Sequence, residues 1–228
     1  MLRRLFLLWL DESGAFTGVL YVAAAAALTF VGNRWEILSD FPELALFAAG
    51  IHALCSGRPG LVALVVLIGT LNRETMGLMA AFAAADALLG TRRRESVYAT
   101  AGALGGWLIA EMAVRTWLSP VIGSHPYATT VRHNLAGLGV LIVSTHPYNN
   151  FLYPLYLYGP FWVLPLWRWR VLPPCLRAGV LVAPLFLLVV LFLGGLNEPR
   201  QLLPLCTVLV PASLIALFPQ PAASFRRK

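Results

Sequence analysis

Residues 61–89 read LVALVVLIGTLNRETMGLMAAFAAADALL, two apolar runs joined by Asn72-Arg73-Glu74-Thr75. Charges set inside a stretch long enough to meet a membrane are costly, and they persist where a partner satisfies them or a function needs them. A second element of the same kind, Asn197-Glu198-Pro199-Arg200, lies between the last two apolar runs. Together they read as a polytopic membrane protein whose polar site is built from charged residues.

Composition agrees. The chain of 228 residues is 59% hydrophobic and only 12% charged, with a mean hydropathy of +0.75, whereas soluble domains are about a quarter charged. No segment has the composition of a water-soluble domain, so residues 1–228 read as a single integral membrane domain. The formal charge of +7 fits basic loops on one membrane face. No basic stretch is interleaved with aromatics as a nucleic-acid surface would require. Cys55, Cys175 and Cys206 form no CxxC pair and no His-containing metal spacing, so they read as small apolar fillers. Residues 1–12 carry Arg3 and Arg4 and the short run LFLLWL, followed by Asp11 and Glu12. That pattern predicts an interfacial helix, with no small-residue cleavage site for a signal peptide.

The apolar runs are Ala15–Val31, Phe41–Cys55, Leu61–Leu71, Met76–Leu89, Val97–Leu118, Phe151–Trp167, Gly179–Leu196 and Leu202–Phe218. Continuous apolarity without alternation predicts helices, hence an all-α transmembrane bundle of about eight membrane segments. The Leu61 run reads as a half-helix or short buried helix. The runs from Phe41 and Leu61 can alternatively form a re-entrant pair. Arg3, Arg4, Arg58, Arg92–Arg94, Arg168, Arg170, Arg177 and Arg226–Lys228 all fall on one side of this arrangement. The positive-inside rule makes that side cytoplasmic, with both termini inside. The opposite side holds Arg34, Arg73, Arg115, Arg132 and Arg200. Most of these sit near an acid in sequence: Glu36, Glu74, Glu111 and Glu198 respectively, Arg132 excepted. The candidate site therefore belongs at or just within the outer boundary. Residues 119–150 form the longest outer loop, with an apolar stretch, Leu135–Val143, too short to cross.

Arg73 can grip a phosphate while Glu74 orients it or acts as a base, beside the helix N-terminus near Thr75. Ser39 or Asp40 reads as a helix cap, with Pro42 and Glu43 in the first turn. Both carboxylates can equally serve as base or metal ligand. Glu111 and Arg115 have the spacing of an ordinary intrahelical pair. Asp86 reads as reaching the cytoplasmic interface. His125, His133 and His146 match no metal-ligand pattern and read as polar loop residues.

The segments DFPELALFAAGIHAL, LVALVVLIGTLNRETMGLMAAFAAADALL, RRR and NEPRQLLPLCTVLVPA, spanning roughly 40–212 in order, resemble bacterial multi-span membrane proteins with an Asn-Arg-Glu-Thr signature. Those proteins are similar to the GT-C class of membrane glycosyltransferases. The resemblance implies sugar transfer from a polyprenyl-phosphate donor to an extracytoplasmic acceptor at the bacterial inner membrane. It makes Asp40, in the first outer loop Gly32–Asp40, the base or metal-binding acid, with Glu36 its less favoured neighbour. The chain is short for that class, which implies an N-terminally truncated or reduced member. The sites expected are thus Asp40 and Glu74 as catalytic carboxylates, and Glu43, Asn72, Arg73, His146, Glu198 and Arg200 as substrate contacts. Membrane lipids and the polyprenyl carrier are the expected partners, and a divalent metal is allowed. The alternatives are a transporter or flippase of an anionic lipid or solute, and a non-catalytic membrane subunit.

Overall fold

The structure, a computed structural model, describes residues 1–30, 37–90, 92–122, 136, 158–193 and 199–218. Regular elements among them are all helical. They are α1 (Leu2–Phe6), α2 (Glu12–Phe30), α3 (Ile37–Cys55), α4 (Pro59–Asn72), a 3₁₀ turn (Glu74–Gly77), α5 (Leu78–Leu89) and α6 (Arg93–Ile122). After residue 157 come two 3₁₀ turns (Gly159–Trp162 and Trp169–Val171) flanking α7 (Leu164–Trp167). Then follow α8 (Pro174–Leu193), a 3₁₀ segment (Pro199–Leu205) and α9 (Cys206–Leu217). The predicted apolar helix Leu135–Val143 falls almost wholly outside the described residues, as do Arg34, Glu36, Arg132, His125 and His133.

Among the described residues two helices are long and apolar enough to cross a membrane: Arg93–Trp117 within α6, of 25 residues, and Pro174–Phe192 within α8, of 19 residues. Pro59–Asn72 and Gln201–Leu217 are shorter apolar helices. Several helices present large apolar side chains outward at helical spacing. These are Leu61, Leu64, Ile68 and Leu71 on α4, Leu104, Leu108 and Met112 on α6, and Leu181, Leu185, Leu188 and Phe192 on α8. The inward faces are apolar too, with Val62, Val65 and Val66 on α4 and Val182, Phe186 and Val190 on α8 buried. A helix apolar on its buried and its exposed side alike is of the kind that sits in hydrocarbon.

Helix lengths set the levels at which side chains meet. At 1.5 Å per residue, α4 spans about 21 Å and α5 about 18 Å, short of the ~30 Å hydrocarbon thickness. The short pair is therefore the α4–α5 hairpin. The Phe41 and Leu61 runs, the other expected short pair, form α3, which begins at Ile37 and runs 19 residues, and the 14-residue α4. The early start of α3 corrects the capping expectation. Asp40 lies in the first turn of α3, and Pro42 lies inside the helix. The amide Pro42 lacks would have bonded to the carbonyl of Leu38, so only one early bond is lost.

Small residues bring α4 and α6 together. A Cβ on Gly102 would sit 3.0 Å from Ala63 Cβ, and one on Gly106 would sit 2.8 Å from the Ala63 carbonyl oxygen. These two glycines are four apart on α6, the small-xxx-small spacing that lets backbones approach where no hydrophobic effect drives association. Deeper in, Phe47 of α3 packs edge-on against Phe82 of α5 and Phe186 of α8, with ring centroids 5.6 and 5.9 Å apart. Tyr158 is fully buried; its hydroxyl donates to the Leu202 carbonyl and lies 3.4 Å from Cys206 Sγ.

Two further expectations need correction. Cys55 and Cys175 are joined in a disulfide across 120 residues of chain, with Cα atoms 5.9 Å apart; Cys206 alone is a buried free thiol. The filler reading failed because pairing depends on where chain ends meet, which spacing does not encode. The N-terminal segment packs Leu5 and Phe6 into the core, against α2, α3 and α9, and leaves Arg3 and Arg4 exposed. Asp86 is buried, and the Ser96 hydroxyl donates to it at 2.6 Å. It closes the α5–α6 turn without reaching out to the interface. The Phe151–Trp167 run ends, over its described residues 158–167, in 3₁₀ turns and the four-residue α7.

Candidate functional site

Arg73 stands at the tip of the α4–α5 hairpin in extended backbone, φ −154° and ψ 132°, which ends α4 and starts the 3₁₀ turn. That conformation swings its side chain away from the hairpin and toward α3. The tip lies about 21 Å along α4 from its start. On α3, Asp40 and Glu43 lie about 22 and 18 Å from Cys55 by the same rise. The Cys55 end of α3 and the Pro59 start of α4 adjoin through a three-residue turn, so all three charged residues fall at one level.

Their side chains meet there. The Arg73 guanidinium donates to Asp40 Oδ1 at 2.6 Å and lies 3.4 Å from Glu43 Oε2 through Nε. Thr75 donates its hydroxyl to the other Glu43 oxygen at 2.5 Å. Asp40 is 3% exposed and Glu43 1% exposed. Carboxylates this far from solvent need a cation and hydrogen bonds to carry charge; Arg73 supplies one positive charge to the pair and Thr75 a hydrogen bond to Glu43. Tying 40 and 43 to 73 and 75 also locks the hairpin tip onto α3.

The turn is held from the other side by α6. Trp107 donates its indole N–H to the Glu74 carbonyl at 3.2 Å. A Cβ on Gly77 would sit 2.7 Å from the Trp107 ring, so glycine there is what admits the indole. Trp107 lies about 21 Å along α6 from Arg93, at the same level as the tip. Further along α6, Arg115 pairs with Glu111 at 2.6 Å, the expected i,i+4 bridge.

The structure thus unites Asp40, Glu43 and Arg73 and adds Thr75, which sequence reading placed only at a helix start. Glu74 is not one of the two carboxylates that pair with Arg73 within 4 Å: its side chain is exposed at the turn, and those two come from α3. Adjacency in sequence made Arg73 and Glu74 look paired. The extended backbone at 73 sends the guanidinium elsewhere. Asn72 is half-buried as the last residue of α4. His146 and Glu198 lie outside the described residues, as does the side chain of Arg200. The 3₁₀ segment Pro199–Leu205, which carries the Arg200 backbone, packs against α3. Among the described residues no group of three or more His, Cys, Asp or Glu side chains is arranged to hold a metal ion.

Chemically, the cluster offers a buried carboxylate pair whose charge is held by one guanidinium. Such a group can accept a proton from a hydroxyl, and the guanidinium can turn to an incoming anion. Comparison with protein-family models, with curated proteins and with solved structures finds no match in any of the three.

Proposed function

We propose that this chain is a multi-pass protein of the bacterial inner membrane, with about eight membrane segments, both termini cytoplasmic, and GT-C-like glycosyltransferase activity. In this reading, Asp40 takes the proton of an acceptor hydroxyl arriving from the outer side. The hydroxyl oxygen attacks the anomeric carbon of a polyprenyl-phosphate sugar in line, and the polyprenyl phosphate leaves. Arg73 keeps Asp40 ionised and oriented, and its guanidinium meets the departing phosphate, where positive charge has its largest effect in the transition state. Glu43 and Thr75 position Arg73; the family resemblance alone adds Glu198 and Arg200 as substrate contacts.

The observation that carries the reading is the meeting of Asp40 and Arg73 from two helices at one buried level, 2.6 Å apart. The α4–α5 hairpin supports it too: at about 21 and 18 Å its helices are shorter than the hydrocarbon, so in this reading its charged tip meets the lipid-linked donor within the membrane. A second reading is favoured by the same contacts: Arg73 is held by two carboxylates of its own chain, as in a non-catalytic subunit whose ion pairs only join helices.

Native mass spectrometry of the purified protein with polyprenyl phosphate separates the two. Wild-type protein and Asp40→Asn retain the carrier in the transferase reading, and Arg73→Lys loses at least tenfold in retention. No retention by wild type removes the transferase reading and leaves the subunit.

A further inference from the structure

The molecule carries a chemically reactive pair at the end opposite the candidate site. Cys55 closes α3, and Cys175 is the second residue of α8. Both are half-buried and reachable. Around them stand the arginines of one face. Arg58 follows Cys55 by three residues. Arg92 lies against the turn at Gly57, where a Cβ would come within 2.8 Å of its guanidinium. Arg177 sits two residues past Cys175, donating to the Arg170 and Leu172 carbonyls at 2.8 Å.

Three features mark this bond as exchangeable. Cys175 stands in the first turn of a helix of 20 residues, where unpaired amides and the helix dipole favour a thiolate. Arg58 and Arg177, three and two residues from the two cysteines, add positive charge to the same end. A stabilised thiolate is a good leaving group, which speeds cleavage of the bond. Finally, the bond joins two helices that pack chiefly on others, α8 on α5 and α3 on α4, and that also meet through the Phe47 and Phe186 rings, 5.9 Å apart. Opening the bond therefore leaves the helix packing in place.

We propose that Cys55 and Cys175 are a reversible thiol–disulfide pair facing the low-molecular-weight thiol pool, and that oxidation clamps α3, which carries Asp40 and Glu43, to α8. The proposal rests on the orientation given above, in which this Arg-rich face is cytoplasmic and its thiols are kept reduced. Oxidation proceeds by exchange. One cysteine thiolate attacks a small disulfide RSSR and expels RS⁻. The second cysteine, losing its proton, attacks the mixed disulfide and expels the second RS⁻. Two electrons pass from the cysteine pair to RSSR, and the two thiols' protons go to solvent or to the released thiolates.

The test uses cells expressing the full chain in a Cys206→Ser background, so that only the pair reports. Thiols are trapped with N-ethylmaleimide, disulfides are then reduced, and the freed thiols are tagged with a heavy maleimide for a gel shift. The expected oxidised fraction is below about a tenth in unstressed cells, rises above about half within minutes of diamide treatment, and falls again after washout. A pair that is fully oxidised in unstressed cells, or never oxidised by diamide, overturns the proposal. A membrane-impermeant maleimide applied to intact cells and to inverted vesicles of diamide-free cells separates the causes. Labelling only in inverted vesicles with no oxidation defeats the switch alone. Protection in inverted vesicles with labelling of intact cells after reduction defeats the orientation, and the switch with it.

Discussion

The two ends of the helix bundle use arginine in opposite ways. At the hairpin tip, Arg73 is mostly buried, with its guanidinium shared between Asp40 and Glu43. At the Arg-rich end, Arg58, Arg92, Arg93 and Arg94 are exposed, and the covalent link there is a disulfide. A guanidinium held away from water must be neutralised where it lies, so its position is fixed by its partners. A guanidinium at the surface is solvated and screened, and its placement reports only which side of the membrane it prefers. The same residue type is thus a buried ion-pair partner at one end and a solvated charge at the other.

The contrast breaks most sharply at Arg73. Arg73→Ala leaves two buried carboxylates without their shared cation and should cost about 3–5 kcal/mol, against about 0.5 kcal/mol or less for Arg58→Ala. Thermal or denaturant unfolding in one detergent compares them. Replacing the whole cluster, as Asp40→Leu, Glu43→Leu and Arg73→Met together, should recover most of the loss, because a buried ion group replaced by apolar residues of similar volume is often neutral or better. Carrier binding should stay absent in that triple variant if the cluster is a site, and stay unchanged from wild type if the cluster is only structural.

At the other end, Cys55→Ser should lower the stability of the oxidised protein by about 2–4 kcal/mol and leave the reduced protein nearly unaltered. Unfolding with and without reductant reads the difference. Between the ends, Gly106→Leu should separate α4 from α6 at a cost of about 1–3 kcal/mol, since the added carbons meet the Ala63 backbone. The smallest effect belongs to the outward stripe. Leu108→Ala should change stability by about 0.5 kcal/mol or less in detergent, because the methyl groups removed exchange one apolar surround for another. A loss near that of a core leucine would show that the stripe is covered by protein.

Much of this was legible in the residues. The apolar runs from Ala15, Phe41, Leu61, Met76, Val97, Gly179 and Leu202 each lie within or overlap a helical segment, because apolar side chains in unbroken series leave the backbone to satisfy itself as a helix. The shortness of the Leu61 run and the break at Asn72–Thr75 follow from where charge and polar groups interrupt those series. Asp40, Glu43 and Arg73 stood out because acids and arginines are rare in such a chain.

What the order of residues left open was which of these groups meet. Arg73 has Glu74 beside it in sequence and finds Asp40 and Glu43 some thirty positions away. Only the extended backbone at the hairpin tip and the matched lengths of α3 and α4 decide that choice. Cys55 and Cys175 are bonded because the end of one helix and the start of another arrive at the same place, and nothing in their spacing records it. Asp86 turned inward to Ser96 for the same reason. Local composition fixes what a segment becomes, since helix formation and apolar burial act over a few turns. Which charged and sulfur-bearing groups are neighbours is decided by packing between segments, and that information exists only once the helices have assembled.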